Sequence, residues 1–194
     1  MKAIAVFCGA SFNGDPIFKE SAELLAEELV KRDITLVFGG GNIGLMGIIA
    51  DAVLDRGGRV IGVMPEFLLQ KEIGHPRLTK MYIVENMHQR KQKMNELADG
   101  SITLPGGFGT LEEFFEVLTW LQLGLHQKPV ALLNVNGFYD FLLKQLDVMV
   151  EQNLLLPFNR KLVLSSSYPL QLLENMQLFK DQLPDGGFSG KNLI

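Results

Sequence analysis

The sequence predicts an α/β protein, a doubly wound and mostly parallel sheet flanked by helices on both faces. Short apolar, β-branched runs alternate with longer segments of helical period along the whole chain. The strand runs are nearly continuous in apolar residues, as befits strands buried on both faces. Two glycine clusters, at 39–47 and 106–109, each follow a strand run and open a helical one. That places both on the rim made by the carboxyl ends of the strands, where such sheets bind ligands.

Ala3 to Cys8 is an apolar run ended by Gly9 and forms the first strand. The opening MKAIAVFCGASF carries one lysine and a short apolar stretch, too short for a signal peptide. Residues 15–32 form a helix with Asp15 as N-cap and Pro16 at its first position. ITLVFGG is the second strand, LMGIIADAVLDRGG a helix closed by glycine, and RVIGVMPE the third strand. Residues 67–79 show no clear period and are expected as a loop over the sheet's edge. KMYIVE is the fourth strand, followed by a helix from Met87 to about Ala98 with Asn86 as N-cap and Gln89 three residues on. SITLPGG is the fifth strand, 111–125 the next helix, PVALLNV the sixth strand and 137–151 a further helix. KLVLSS is a short seventh strand, and the last helix spans about 168–180. Residues 1–183 read as one domain, without linker or fixed-period repeat, and 184–194 as a flexible glycine-rich tail.

A chain of 194 residues is long enough for one real core. Net charge is −4 and the one basic run is Arg90-Lys91-Gln92-Lys93, which argues against nucleic acid as a partner. No stretch reaches the roughly 18 apolar residues of a membrane span. The single cysteine, Cys8, forms no intrachain disulfide and fits a reducing cytoplasm, the expected location. His75, His88 and His126 show no metal-ligand spacing, so neither metal nor cofactor is expected.

The candidate chemistry centres on LPGGFGTLEE, residues 104–113. Gly106, Gly107 and Gly109 permit close backbone approach, and the helix that follows offers free N–H groups to an anion. The Walker pattern of a triphosphate loop is absent. Thr110 to Glu113 reads as a capping box, with Thr110 at N-cap and Glu113 at N3, which contributes about 1 kcal/mol. Against this, Leu111, Phe114, Phe115, Leu118, Leu121 and Leu125 make one apolar face while Glu113, Glu116, Val117 and Trp120 make a second, mixed stripe. Such a helix is buried or meets a partner, and its acids then sit at a rim or interface.

In the preceding helix, Arg90 interrupts the face Met87, Met94, Leu97; it forms either a structural salt bridge or a clamp on an anion or purine edge, with Lys91 near the same rim. The first glycine cluster contains Gly39-x-Gly41-x-x-Gly44, with Glu66 near the end of the next strand. Three readings stay open: a dinucleotide fingerprint, glycines serving tight turns and close packing, or a loop whose Gly40 and Gly41 bind phosphate or sugar.

Taken together, GGGNIGLMG, MHQRK and LPGGFGTLEE resemble the Lonely Guy family of nucleoside 5′-monophosphate phosphoribohydrolases, often labelled lysine decarboxylase-like. The resemblance runs from Met1 to about residue 165, and Pro105 to Glu113 match the motif P-G-G-x-G-T-x-x-E in full. It implies a Rossmann-like homodimer that cleaves the N-glycosidic bond of a purine nucleoside 5′-monophosphate, releasing free base and ribose 5-phosphate. The base is a cytokinin, adenine or another purine. The implied catalytic pair is Arg90 and Glu113. The implied substrate contacts are Lys91, the loop Gly106, Gly107, Phe108, Gly109 and Thr110, and Glu72 in QKEIGHP. A nucleotide sensor without catalysis is the rival reading; no motif sets up a pyridoxal lysine.

Overall fold

The computed structural model describes residues 1–69 and 74–182. In chain order its elements are β1 (Ala3–Phe7), α1 (Pro16–Lys31), β2 (Thr35–Phe38), α2 (Gly44–Asp55), β3 (Val60–Pro65), α3 (Glu66–Leu69), β4 (Lys80–Val84) and α4 (Met87–Leu97). There follow β5 (Ser101–Thr103), α5 (Phe108–Gln122), β6 (Val130–Leu133), a 3₁₀ turn (Val135–Gly137), α6 (Asp140–Glu151), α7 (Pro157–Arg160), β7 (Val163–Ser166) and α8 (Pro169–Asp181).

The sheet order is β4-β3-β2-β1-β5-β6-β7, and every neighbouring pair is parallel. The chain builds outward from β1 to β4, then returns through α4 to lay β5 on β1's other side. The order therefore reverses between β1 and β5, and the loops leaving those two strands part to opposite faces. A crevice opens at that switch point.

Alternation along each strand supplies two cores. Ile4 and Val6 face α1, α2 and α8, where Leu25, Leu29, Ile49, Val53, Leu172 and Met176 are buried. Ala5 and Phe7 face the other layer, with Met94 of α4, Phe114, Val117 and Leu121 of α5, and Leu146 of α6. The expected caps form where the sequence puts them: Asp15 accepts from the Ile17 N–H at 3.0 Å, and Asn86 from the Gln89 N–H at 3.0 Å.

The differences are local. Helix α5 begins at Phe108, not 111, because Gly107 takes the N-cap and Gly109 falls in the first turn, where a glycine costs little. Two one-turn helices were not expected, α3 in the 67–79 segment and α7 led by Pro157. That segment returns to the sheet at Gly74 and His75: Gly74 bridges Gly41, and the His75 N–H donates to the Gly40 carbonyl at 2.9 Å. Glu72 and the tail 184–194 lie outside the described residues.

Candidate active site

The glycines at the crevice divide into those the fold requires and those it does not. The Gly9 N–H donates to the Pro105 carbonyl at 3.1 Å, and the Leu45 N–H to the Gly9 carbonyl at 3.0 Å, so three strand-end loops are stitched together. A Cβ on Gly106 would lie 2.2 Å from the Thr110 Oγ1 and 2.8 Å from the Gly9 nitrogen. A Cβ on Gly44, whose φ is +60°, would lie 2.5 Å from the Ala10 carbonyl carbon. Gly107 and Gly109 are different: neither has positive φ, and a Cβ on either would meet nothing within 4 Å. The protein's own packing does not explain them. They leave the backbone open beside a cleft of about 710 Å³.

That cleft ends on the N-terminus of α5. Gly107 supplies no side-chain cap, and the first intrahelical bond runs from the Leu111 N–H to the Gly107 carbonyl at 3.1 Å. The N–H groups of Phe108, Gly109 and Thr110 therefore have no partner within the helix. With the positive end of the helix dipole they form an anion site. The capping box expected at Thr110 and Glu113 is not present. Because Gly107 is the N-cap, Thr110 already stands at N3, and Glu113 is the sixth residue of the helix.

Glu113 faces inward, about 7.5 Å along the helix from its start at 1.5 Å per residue. Its carboxylate lies 3.6 Å from the Arg90 guanidinium, Oε1 to Nη2, and both side chains are about nine-tenths buried, at 10% and 11% exposure. Burial pushes the Glu113 carboxyl above its ordinary 4.5; Arg90 pulls the other way. Arg90 reaches this place because Gly39 has no side chain: a Cβ there would lie 1.9 Å from Nη2. The Arg90 Nε is buried without a hydrogen-bond partner. An acid and a cation thus stand together in the lining of the cleft, both about nine-tenths buried.

Lys91 is buried beside them but turned away from the cleft. Its side chain is 7% exposed, and its ammonium pairs with Glu112 and, at 2.9 Å, with Glu116. Burial works to lower its pKa, and the hydrogen bonds to Glu112 and Glu116 outweigh this and raise it. Lys91 therefore braces α4 against α5 one residue from Arg90 and one turn from Glu113, fixing the separation of the pair.

The other candidates fall into place around this centre. Gly40 and Gly41 are absent from the cleft lining. Gly40, at φ +84°, packs against Met81 and Met64, and Gly41 takes part in the bridge to Gly74. Of the three readings of the first cluster, turn and packing glycines describe it best, while Ile43, Leu45 and Met46 line the cleft. Phe108 is 96% exposed at the first position of α5 and does not line it. Glu66 is exposed at the start of α3, outside the lining. His75 is buried against Asp51 at 3.2 Å. Burial depresses His126 to about 4, and its Nε2 lies 3.0 Å from the Val117 carbonyl oxygen.

Sequence reading missed Gly39 as the seat of Arg90. It also missed the wall formed by Phe12, Phe18 and Phe138. The Asn-Gly turn at 136–137, on the same rim after a strand, is the signal that pointed to Phe138.

Comparison with known proteins adds to this geometry. A family model described as "Possible lysine decarboxylase" matches residues 46–176. The chain is 46% identical over 181 residues to a probable cytokinin riboside 5′-monophosphate phosphoribohydrolase of Arabidopsis thaliana, LOG6, covering 93% of this chain and 90% of that one. It is 43% identical over 184 residues to the cytokinin riboside 5′-monophosphate phosphoribohydrolase LOG7 of the same plant, covering 95% and 85%. Among solved structures it resembles the molybdenum cofactor carrier protein of Chlamydomonas reinhardtii, with TM-score 0.69 at 15% identity over 93% of this chain and 99% of that one. A molybdenum cofactor binding protein of Rippkaea orientalis gives 0.68 at 22% identity over 92% and 97%. At such identities these two speak to the fold alone.

Proposed function

The chain belongs to the Lonely Guy family of phosphoribohydrolases, and from that premise we propose that it hydrolyses the N-glycosidic bond of a purine nucleoside 5′-monophosphate, cytokinin-type or AMP, to free base and ribose 5-phosphate. The observation that carries the reading is the buried Arg90–Glu113 pair, 3.6 Å apart, about one and a half turns inside an uncapped helix start. The 5′-phosphate binds the free N–H groups of Phe108, Gly109 and Thr110, over the open backbone of Gly107 and Gly109. The ribose then extends along α5 and brings C1′ to Glu113.

As the C1′–N9 bond breaks, its electron pair leaves with the purine and positive charge develops on the sugar. The Glu113 carboxylate stabilises that charge and orients the water that adds to C1′. Burial raises its pKa and so makes it the better acceptor of the water's proton, which then passes to the departing purine anion to give the free base and restore the carboxylate. A guanidinium is a poor proton donor, so the part of Arg90 is electrostatic: it stabilises the departing base or the phosphate. Lys91 sets the spacing from behind.

Two other readings fit less well. Simple phosphate binding does not require a buried carboxylate beside the anion site, because like charges repel there. A pyridoxal-dependent decarboxylase needs a lysine of lowered pKa in the site. Lys91, the nearest, is raised by two acids and faces away. Lys128, which burial does lower, precedes β6 and lies at the opposite end of the sheet.

The outer side of α5 supports a homodimer. Leu111, Phe115, Leu118 and Trp120 are only partly buried there, and Leu123 and Leu125 are exposed beyond its end. Leu121 belongs to the core, and the outer face of α4 is polar, so α5 carries the surplus. No helix among the described residues is long and apolar enough to cross a membrane. A lone buried Cys8 fits a reducing compartment, here taken as the cytoplasm.

The test is a panel of nucleoside 5′-monophosphates, including AMP and an N6-alkylated AMP, with free base and ribose 5-phosphate both measured. Stoichiometric release from a purine member is expected. Tight binding of purine monophosphates with no release from any would reduce the protein to a binder.

A further inference from the structure

The wall of the cleft beyond the glycine loop is aromatic and rigidly built. After β6 the chain makes a turn with Asn136 at φ +50° and Gly137 at φ +72°. Asn134 locks it: its Oδ1 accepts from the Tyr139 N–H at 2.7 Å, and its Nδ2 donates to Asp140 at 2.7 Å. The buried Tyr139 hydroxyl donates to the Leu104 carbonyl at 2.7 Å, two residues before Gly106. The turn is thereby pinned to the stem of the glycine loop. It holds Phe138 in the cleft wall, 44% exposed, with its ring edge-on to Phe18 at 5.8 Å. Phe12 lies beside Phe18, both within 4 Å of a Cβ placed on Gly14.

None of the three rings of this wall carries charge. Among the described residues, the charged ones lining the cleft are Arg90, Glu112 and Glu113, all on α4 and α5. Next to the wall, the N-terminus of α1 is already occupied by the Asp15 carboxylate, which accepts from the Ile17 N–H. A nucleotide whose first phosphate sits on α5 and whose ribose points to Glu113 would send any further phosphate away from Arg90, against Phe138. Each phosphate group added against these three rings would lose water there, and the rings offer it neither a cation nor a hydrogen bond in return.

We propose that Phe138, backed by Phe18 and Phe12, is the residue that selects a nucleoside monophosphate over the di- and triphosphate. The selection rests on the function proposed above and assigns a part of the site that neither Arg90 nor the glycine loop explains.

The experiment compares AMP, ADP and ATP on the wild-type chain and on Phe138→Ala, Phe138→Arg and Phe138→Leu. Base release (kcat/KM) and binding (Kd by calorimetry) are both measured. Phe138 is close to half exposed and the turn is held by its neighbours, so these variants fold, as a thermal melt verifies. The wild type should favour AMP over ADP by roughly 100-fold or more. Phe138→Ala should shrink that ratio about tenfold by opening space, and Phe138→Arg further by adding a cation. Phe138→Leu, still apolar and bulky, should hold the ratio within about threefold. A wild-type ratio near one, or a ratio unmoved by both Ala and Arg, overturns the assignment. If binding ratios shift as described while neither these nucleotides nor any member of the monophosphate panel releases base, the hydrolase reading fails and the selection stands. If base is released but the ratios do not move, the selection fails and the hydrolase stands.

Discussion

Glu113→Gln separates chemistry from folding at this site. The substitution keeps size and hydrogen-bonding capacity and removes one negative charge. In the free protein that charge faces Arg90 at 3.6 Å, an attraction of about 4.6 kcal/mol at an effective dielectric constant of about 20. Taking a carboxylate out of water costs several kcal/mol in the opposite sense. The raised pKa of Glu113 says which side prevails: burial outweighs Arg90. The folded state thus holds the Glu113 proton more tightly than the unfolded chain. Its contribution to stability is complete below the ordinary 4.5 and is lost as pH rises through the raised native value.

The glutamine variant should therefore unfold within about 1 kcal/mol of wild type at neutral pH. Its stability relative to wild type should improve as pH climbs above 4.5. In catalysis the same charge faces a cation that exists only in the transition state. Loss of such a contact costs about 2.7–4 kcal/mol, or roughly 10²- to 10³-fold in kcat. The assay pairs single-turnover base release with urea unfolding at several pH values. A variant with near-normal kcat would refute the reasoning and leave the catalytic carboxylate unidentified. A loss of kcat accompanied by several kcal/mol of destabilisation would assign Glu113 to the fold instead.

Gly39→Ala places a Cβ 1.9 Å from the Arg90 Nη2, so the guanidinium must move; kcat should fall roughly 10²-fold while the melting temperature stays nearly constant, and an unchanged kcat would show that Arg90 has no fixed post. Lys91→Met removes the brace and one of the two cations that lower Glu113, so the carboxyl should titrate at still higher pH. The acid limb of the kcat profile should shift upward accordingly, with a stability loss of roughly 2 kcal/mol; a stability loss without that shift would make Lys91 a purely structural tie. Light scattering at micromolar concentration should report about twice 21.6 kDa, and Phe115→Glu with Leu118→Glu should halve it; a monomeric wild type would remove the α5 interface from the picture.

Much of this was decided by local pattern. Buried apolar runs such as ITLVF and PVALLNV have nowhere to go but a sheet covered on both faces. The caps at Asp15 and Asn86 are read within three residues of themselves. The loop PGGFGT announces an anion site because glycine needs no neighbour to declare an open backbone. What local pattern could not decide was which end of LPGGFGTLEE starts the helix. Thr110 and Glu113 have the spacing of a capping box, but Gly106 must pack against Thr110 and Gly9, and that tertiary contact moves the N-cap back to Gly107. Glu113 thereby leaves the helix end and becomes a buried acid. Likewise, Gly39 and Arg90 stand 51 positions apart in sequence, and no period along the chain relates them. Only the crossing of α4 over the end of β2 makes the missing side chain of one the seat of the other. The same holds for Phe138, brought to the glycine loop by one hydrogen bond from Tyr139 to Leu104. Caps and strand alternation depend on near neighbours and are written in the chain, whereas the place of a charge or a ring in a cleft depends on which distant backbone packs against it.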